Sequence, residues 1–178
     1  TKEKNALTYY NLSTVMYGQN KKAEALDYAV KAYDARERTE NSVKANIVYN
    51  YGLMMQDSAK DEDAVRLYNE VLMLDPKHVK ANTNLGTVYM KQKKDTEAIL
   101  ALTNAYNVEP DNFEVNNNLG TAYRRISDIT KSAEHYNKAL KVNPKDLTVM
   151  QNLARTYAAA KDYENARKVY EQLIAKEP

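Results

Sequence analysis

The sequence predicts an all-α fold built from a repeated pair of helices, and three observations carry that prediction. The four prolines of the 178-residue chain, Pro76, Pro110, Pro144 and Pro178, follow one another at intervals of 34 residues. Aligned on them, large and small side chains fall into fixed columns at helical spacing. Glycine is as scarce as proline, at four residues, which excludes turn-rich all-β, collagen-like and linker-rich designs.

The repeats run over approximately 45–78, 79–112, 113–146 and 147–178. The seventh position holds Tyr51, Leu85, Leu119 and Leu153, and the eighth Gly52, Gly86, Gly120 and Ala154. The eleventh holds Met55, Tyr89, Tyr123 and Tyr157. In the second half of each unit come Ala64, Ala98, Ser132 and Ala166, then Tyr68, Leu102, Tyr136 and Tyr170, then Val71, Ala105, Ala139 and Leu173. Small residues such as Gly86 and Ala98 let the two helices of a unit approach, and the large columns fill the space between units. Proline lacks a backbone donor and restricts the residue before it, so it stops the second helix. Asp95, Asp111 and Asp146 stand where helix N-caps are expected.

These columns resemble the tetratricopeptide repeat over nearly the whole chain, with Asn82–Pro110 matching almost every position. A divergent fifth copy precedes them, at approximately 6–44, where Asn11-Leu12-Ser13-Thr14-Val15 mirrors Asn84-Leu85-Gly86-Thr87-Val88. Ala25, Ala29 and Ala32 fill its later columns. Its offset to the next copy is 39 residues and it has no closing proline. The simplest account is a second helix prolonged through Arg36-Glu37-Arg38 to a turn near Asn41-Ser42, with Ser13 holding its two helices slightly further apart. The resemblance implies a right-handed α-solenoid of five helix-turn-helix repeats, about ten antiparallel helices, in one domain over 1–178. The chain starts at Thr1 and reads as a fragment of a longer protein.

The remaining composition excludes several function classes. No Cys means no disulfide, thiolate nucleophile or Cys-based zinc site. His78 and His135 stand in different repeats, and there is neither a His-Glu-x-x-His motif nor a Gly-rich phosphate loop. The expectation is a non-catalytic chain without cofactor or metal, its histidines on the surface or between helices. A net charge of +2 without a basic block argues against nucleic acid. The longest apolar run, Ala98–Leu102, cannot insert into a membrane. Cytosol and periplasm are equally compatible with the sequence. The tyrosines Tyr68, Tyr89, Tyr123, Tyr136, Tyr157 and Tyr170 are read as packing residues.

The position that packing leaves unexplained is the sixth: Asn11, Asn50, Asn84, Asn118 and Asn152. Asn makes up 19 of 178 residues, so five in five is more than composition supplies. Asn is a mediocre helix former, but its amide can donate to a peptide carbonyl and accept from a peptide N–H at once. In the family the first helix of each unit lines a concave groove, and this column resembles the asparagine ladder of O-linked N-acetylglucosamine transferases and kinesin light chains. The resemblance places Tyr10, Tyr17, Tyr49 and Leu53 in the groove of the first two repeats. In the later three it places Lys80, Lys91, Arg124, Arg125 and Arg155, against Glu114. The implied function is a protein–protein interaction module that holds an extended peptide, apolar or aromatic at one end and acidic at the other.

A carboxylate clamp of the chaperone-binding type fits poorly. Asn50 and Lys80 match it, but Tyr10, Thr14 and Asn84 stand where Lys, Asn and Arg are required. The competing reading is a scaffold that assembles a complex, or self-associates, through its ends or convex face, where apolar surface around Val169 and Leu173 is expected to be open. Base reading of the pentatricopeptide kind is disfavoured, because five identical Asn would be a poor code.

Overall fold

A computed structural model describes residues 2–175; the fourth proline, Pro178, lies outside them. Among the described residues all regular structure is helical. The chain divides into two compact units, Thr1–Val88 and Tyr89–Pro178. The first contains α1 (Lys2–Gly18), α2 (Lys22–Ala35), α3 (Asn41–Asp57), α4 (Asp61–Leu74) and most of α5 (Val79–Lys91). The second contains the end of α5, then α6 (Asp95–Val108), α7 (Phe113–Arg125), α8 (Ile129–Val142), α9 (Leu147–Ala159) and α10 (Tyr163–Ile174). Each odd-numbered helix with the next forms one helix-turn-helix repeat, and the fold is an all-α solenoid of such repeats.

The turn inside each repeat is the same five times, although its sequence is not. Asn20, Ala59, Lys93, Ser127 and Lys161 all occupy the fifteenth position, and all have φ between 56° and 63°. The residue after each donates its N–H five positions back: Lys21 to Met16, Lys60 to Met55, Lys94 to Tyr89, Asp128 to Tyr123 and Asp162 to Tyr157, at 2.9–3.0 Å. This is a left-handed helix C-cap, usually occupied by glycine, here built without one. Ala59 has no side-chain hydrogen bond to offset its strain. Ala59→Gly is therefore expected to stabilise the protein by roughly 1 kcal/mol, seen as a raised urea midpoint at unchanged m-value; a lowered midpoint would refute it.

Within a repeat the eighth-position glycine meets a ring. A Cβ on Gly52 would lie 2.9 Å from Tyr68 Cε1, and one on Gly120 2.7 Å from Tyr136 Cδ1. Both tyrosines are fully buried. In the first repeat the same two positions are Ser13 and Ala29, both buried, so a larger residue on one helix is matched by a smaller one on the other. Ser13 Oγ donates to the Ala25 carbonyl on α2 at 2.8 Å. In the fourth repeat the exchange is mirrored, with Ser132 of α8 donating to the Gly120 carbonyl at 2.8 Å.

Several expectations are corrected. Among the three aspartates expected as caps, only Asp146 caps its helix, accepting from Val149 N at 2.9 Å. Asp95 is the first residue of α6, and Asn112 rather than Asp111 caps α7. Asp128 and Asp162 cap α8 and α10. The second helix of the first repeat stops at Ala35 and Arg36–Arg38 form a 3-10 turn; Asn41 and Ser42 already belong to α3. The turn is held because the Arg36 guanidinium lies 3.4 Å from the Tyr33 ring centroid and bonds Glu70 of α4 through Nε and Nη2. Where prolines are present, α4, α6 and α8 each end two residues before Pro76, Pro110 and Pro144. Tyr170 is 41% exposed, unlike the other tyrosines of its column. Leu173 is buried and Val169 half-buried, so the open apolar surface of α10 is Tyr163, Tyr170 and Ile174 instead.

Candidate functional site

In the first unit, three of the residues predicted for ligand contact, Asn84, Tyr49 and Asn50, are drawn into two internal networks. Asn84 of α5 donates through Nδ2 to the hydroxyls of Tyr49 (3.1 Å) and Tyr68 (3.2 Å), and Tyr68 in turn donates to Gln56 Oε1 at 2.6 Å. Tyr49 also packs its ring on Tyr68 and on His78, with centroids 5.9 and 5.0 Å away. Burial raises the Tyr68 phenol pKa far above its ordinary range, so this network stays neutral. Asn84 thus keeps only its carbonyl for an external partner. Asn50 Oδ1 lies 2.8 Å from Ser13 Oγ, whose single hydrogen is shared with the Ala25 carbonyl.

The other aromatic candidates are half-buried. Tyr10 packs against the cluster of Ala6, Ala32 and Ile47, and Tyr17 against Ala25, Ala29 and Met54. The Tyr17 hydroxyl donates to Asp57 Oδ2 at 2.5 Å; that bond pushes its pKa up to about 12. Leu53 is half-buried, and Asn11 and Lys80 are exposed.

The second unit is less engaged. Asn118 of α7 and Asn152 of α9 are half-exposed, and neither side chain makes a hydrogen bond among the described residues. Beside Asn118 on the same helix, Asn117 Oδ1 and Arg124 Nε are buried without a partner. The fifth position holds Tyr10, Tyr49, Thr83, Asn117 and Gln151, so no shared residue type marks Asn117 in the sequence. Arg125 pairs with Asp95 at the start of α6. Lys91 and Glu114 are exposed, and Arg155 edges a shallow cleft of about 450 Å³ with Tyr170 and Ile174.

Two further asparagines at the fourth position are structural. Asn116 is fully buried and donates through Nδ2 to the carbonyls of Pro110 (2.7 Å) and Asn112 (2.9 Å). Asn82 does the same to Pro76 and His78, both at 3.3 Å. With both amide hydrogens of Asn116 used, its Oδ1 must accept, so His135 Nδ1, 3.0 Å away, carries a proton and donates. The imidazole stacks on Tyr123 and meets Tyr106 edge-on. This places His135 between helices, as expected from sequence. His78 accepts the Ala81 N–H through Nδ1 at 3.1 Å, which requires that nitrogen to be unprotonated.

Burial lowers both histidine pKa values below the usual range; at His135, Lys138 and Lys131 add to the effect and Glu134 opposes it. A base with a depressed folded pKa binds fewer protons folded than unfolded, so its neutral form stabilises the fold above the unfolded value of about 6.5. That contribution is lost progressively as pH falls below it. The melting temperature is expected to drop between pH 7.5 and 5.5, and the drop to be smaller in His78→Gln/His135→Gln. Equal drops in the two proteins would show the histidines are not responsible.

Among the described residues no group of three or more His, Asp or Glu side chains is placed to hold a metal ion, and no helix is long and apolar enough to cross a membrane. Comparison with known proteins agrees with the architecture. No curated protein matches the chain. Solved structures similar in fold include MamA residues 41-end from Desulfovibrio magneticus RS-1, at 22% identity and TM-score 0.88, over 99% of this chain and 97% of that one. YrrB, described as a TPR protein with an unusual peptide-binding site, is 19% identical with TM-score 0.81, over 97% and 87% of the two chains. PilF of Pseudomonas aeruginosa is 19% identical with TM-score 0.81, over 99% and 78%. At these identities the likeness is one of fold. Tetratricopeptide repeat models match residues 5–42, 60–115 and 111–175. With repeat models over both units and the repeat columns packed as that pattern requires, the chain belongs to the tetratricopeptide repeat family.

Proposed function

We propose that the chain is a non-catalytic protein-interaction module that binds an extended peptide segment along the first helices of its repeats, through their asparagines. Family membership supports the general role, and YrrB, a protein of this fold, is described as having an unusual peptide-binding site. The observation that carries the finer reading is in the second unit. Asn118 and Asn152 stand at the same helical position one repeat apart, half-exposed and without hydrogen-bond partners among the described residues, where packing gives them nothing to do. Asn117 Oδ1 and Arg124 Nε, buried and unpaired beside Asn118, would be satisfied by a ligand that brings both an N–H and a carbonyl or carboxylate. Such groups alternate along any extended main chain, and an acidic side chain suits Arg124 and Arg155.

The internal networks define unequal roles for the column. Asn118 and Asn152 can each donate and accept; Asn84 can accept only, because its amide hydrogens go to Tyr49 and Tyr68. The test uses a linear peptide selected from a random library on the wild-type chain. Asn118→Ala/Asn152→Ala is expected to weaken it roughly 10- to 100-fold, from about 1 kcal/mol per hydrogen bond lost, with an unchanged melting temperature. Asn84→Ala is the poorer probe, since it also releases two tyrosine hydroxyls. If every selected peptide binds the double variant as tightly as wild type, the asparagine column is not the contact. The scaffold reading would then stand, and sedimentation at rising concentration would examine it.

A further inference from the structure

A second candidate site lies within the second unit, lined by α8, α9 and α10. Between α8 and α10, over α9, opens a cleft of about 610 Å³. Its floor is Leu140, Leu153, Tyr157 and Val169. Its rim carries Lys141, Lys168 and Gln172, and no carboxylate lines it.

The reason the cleft is open is visible one repeat earlier. Between α6 and α8 the Tyr106 ring packs edge-on to His135, 5.2 Å between centroids, and its hydroxyl accepts from Lys138 Nζ at 2.7 Å. His135 stacks in turn on Tyr123. The first unit closes its junction between α2 and α4 the same way, Tyr33 donating to Glu70 Oε2 at 2.8 Å. Moving 34 residues on, Tyr106, His135 and Lys138 become Leu140, Val169 and Gln172, while Tyr123 becomes Tyr157. Two rings are replaced by aliphatic side chains and the tyrosine–lysine bond has no counterpart. The floor keeps its remaining aromatic ring and the cleft keeps the space.

We infer that this cleft is a docking site for a partner protein's tyrosine side chain flanked by carboxylates. The equivalent junction of the same chain is filled by a tyrosine ring, which sets the size and chemistry of the occupant. Gln172 stands where Lys138 meets the Tyr106 hydroxyl, and an amide can bond a phenol as donor or acceptor. The rim supplies the charge preference. Lys141 is exposed and has no ion-pair partner among the described residues. Lys168 is held only by Glu164, one turn away on its own helix, in an exposed pair that solvent screens.

The probe is the acetylated, amidated tripeptide Glu-Tyr-Glu, titrated into the isotope-labelled chain by NMR. Saturable shifts are expected at Leu140, Leu153, Tyr157, Val169 and Gln172, with binding roughly tenfold weaker for Glu-Ala-Glu and for Lys-Tyr-Lys. Leu140→Tyr/Gln172→Lys rebuilds the closed junction and is expected to abolish the shifts. Should that variant not fold, Lys141→Glu changes an exposed rim charge alone and is expected to weaken binding about fivefold. Unsaturable shifts, equal binding of the alanine peptide, shifts confined to Asn118 and Asn152, or wild-type binding by the folded variants would each overturn the assignment.

Discussion

Tyr136→Ala is expected to lower the unfolding free energy by about 3–5 kcal/mol, whereas Tyr170→Ala, in the same repeat column, lowers it by less than about 1 kcal/mol. Tyr136 is fully buried, packs with Ala133, Ala139, Val149 and Leu153, and bonds its hydroxyl to Thr121 Oγ1 at 3.0 Å. Truncation leaves a ring-sized cavity against a helix whose nearest residue is a glycine and cannot fill it. Tyr170 is 41% exposed, and the residue at the facing position is Ala154. Urea titrations of the two variants check the contrast. Equal losses would mean that the column, not burial, sets the energy.

The second large effect is on the other side of the same contact. Gly120→Val is expected to cost about 1–3 kcal/mol by overpacking. A Cβ there falls 2.7 Å from both Cδ1 and Cε1 of Tyr136 and 2.9 Å from Cγ. These atoms are the body of a buried ring, fixed near its own helix, so relief requires the helices to separate. Alanine at this site would be a weaker test, because leaving glycine gains up to about 1 kcal/mol of helix propensity that offsets the clash. The first repeat supplies a rescue. Gly120→Ser combined with Tyr136→Ala reproduces its Ser13 and Ala29, with Ser13 donating across to α2. That pair is expected to be more stable than the sum of the single losses, as contacting residues couple. Strict additivity in the double-mutant cycle would refute direct contact between the two positions.

The helical pairing and the register are legible in the sequence because each depends on residues that recur at one spacing. Pro76, Pro110 and Pro144 mark the ends of α4, α6 and α8. That Tyr68 and Tyr136 lie against Gly52 and Gly120 of their own repeat, where the large columns were expected to fill the space between units, is decided by packing. The intra-repeat turn was not legible, because Asn20, Ala59, Lys93, Ser127 and Lys161 share a left-handed backbone but no side-chain chemistry. Caps were misplaced for a related reason. Asp95 and Asn112 both lie near helix starts, and which residue caps is decided by where the preceding turn leaves the chain.

The candidate site divides along the same line. That every repeat carries an asparagine at its sixth position, and that the later repeats carry arginines nearby, can be read from the chain alone, since identity and spacing are its properties. Which of those amides remain available depends on packing between distant helices. The partners of Asn84 come from Tyr49 and Tyr68, 35 and 16 residues away on other helices, and Asn118 and Asn152 have none among the described residues. The open cleft beside Leu140 is likewise tertiary, because a missing ring becomes a space only where neighbouring helices hold their separation. Hydrogen bonds and cavities are pairwise facts between distant segments, whereas a repeat is a fact about one segment at a time.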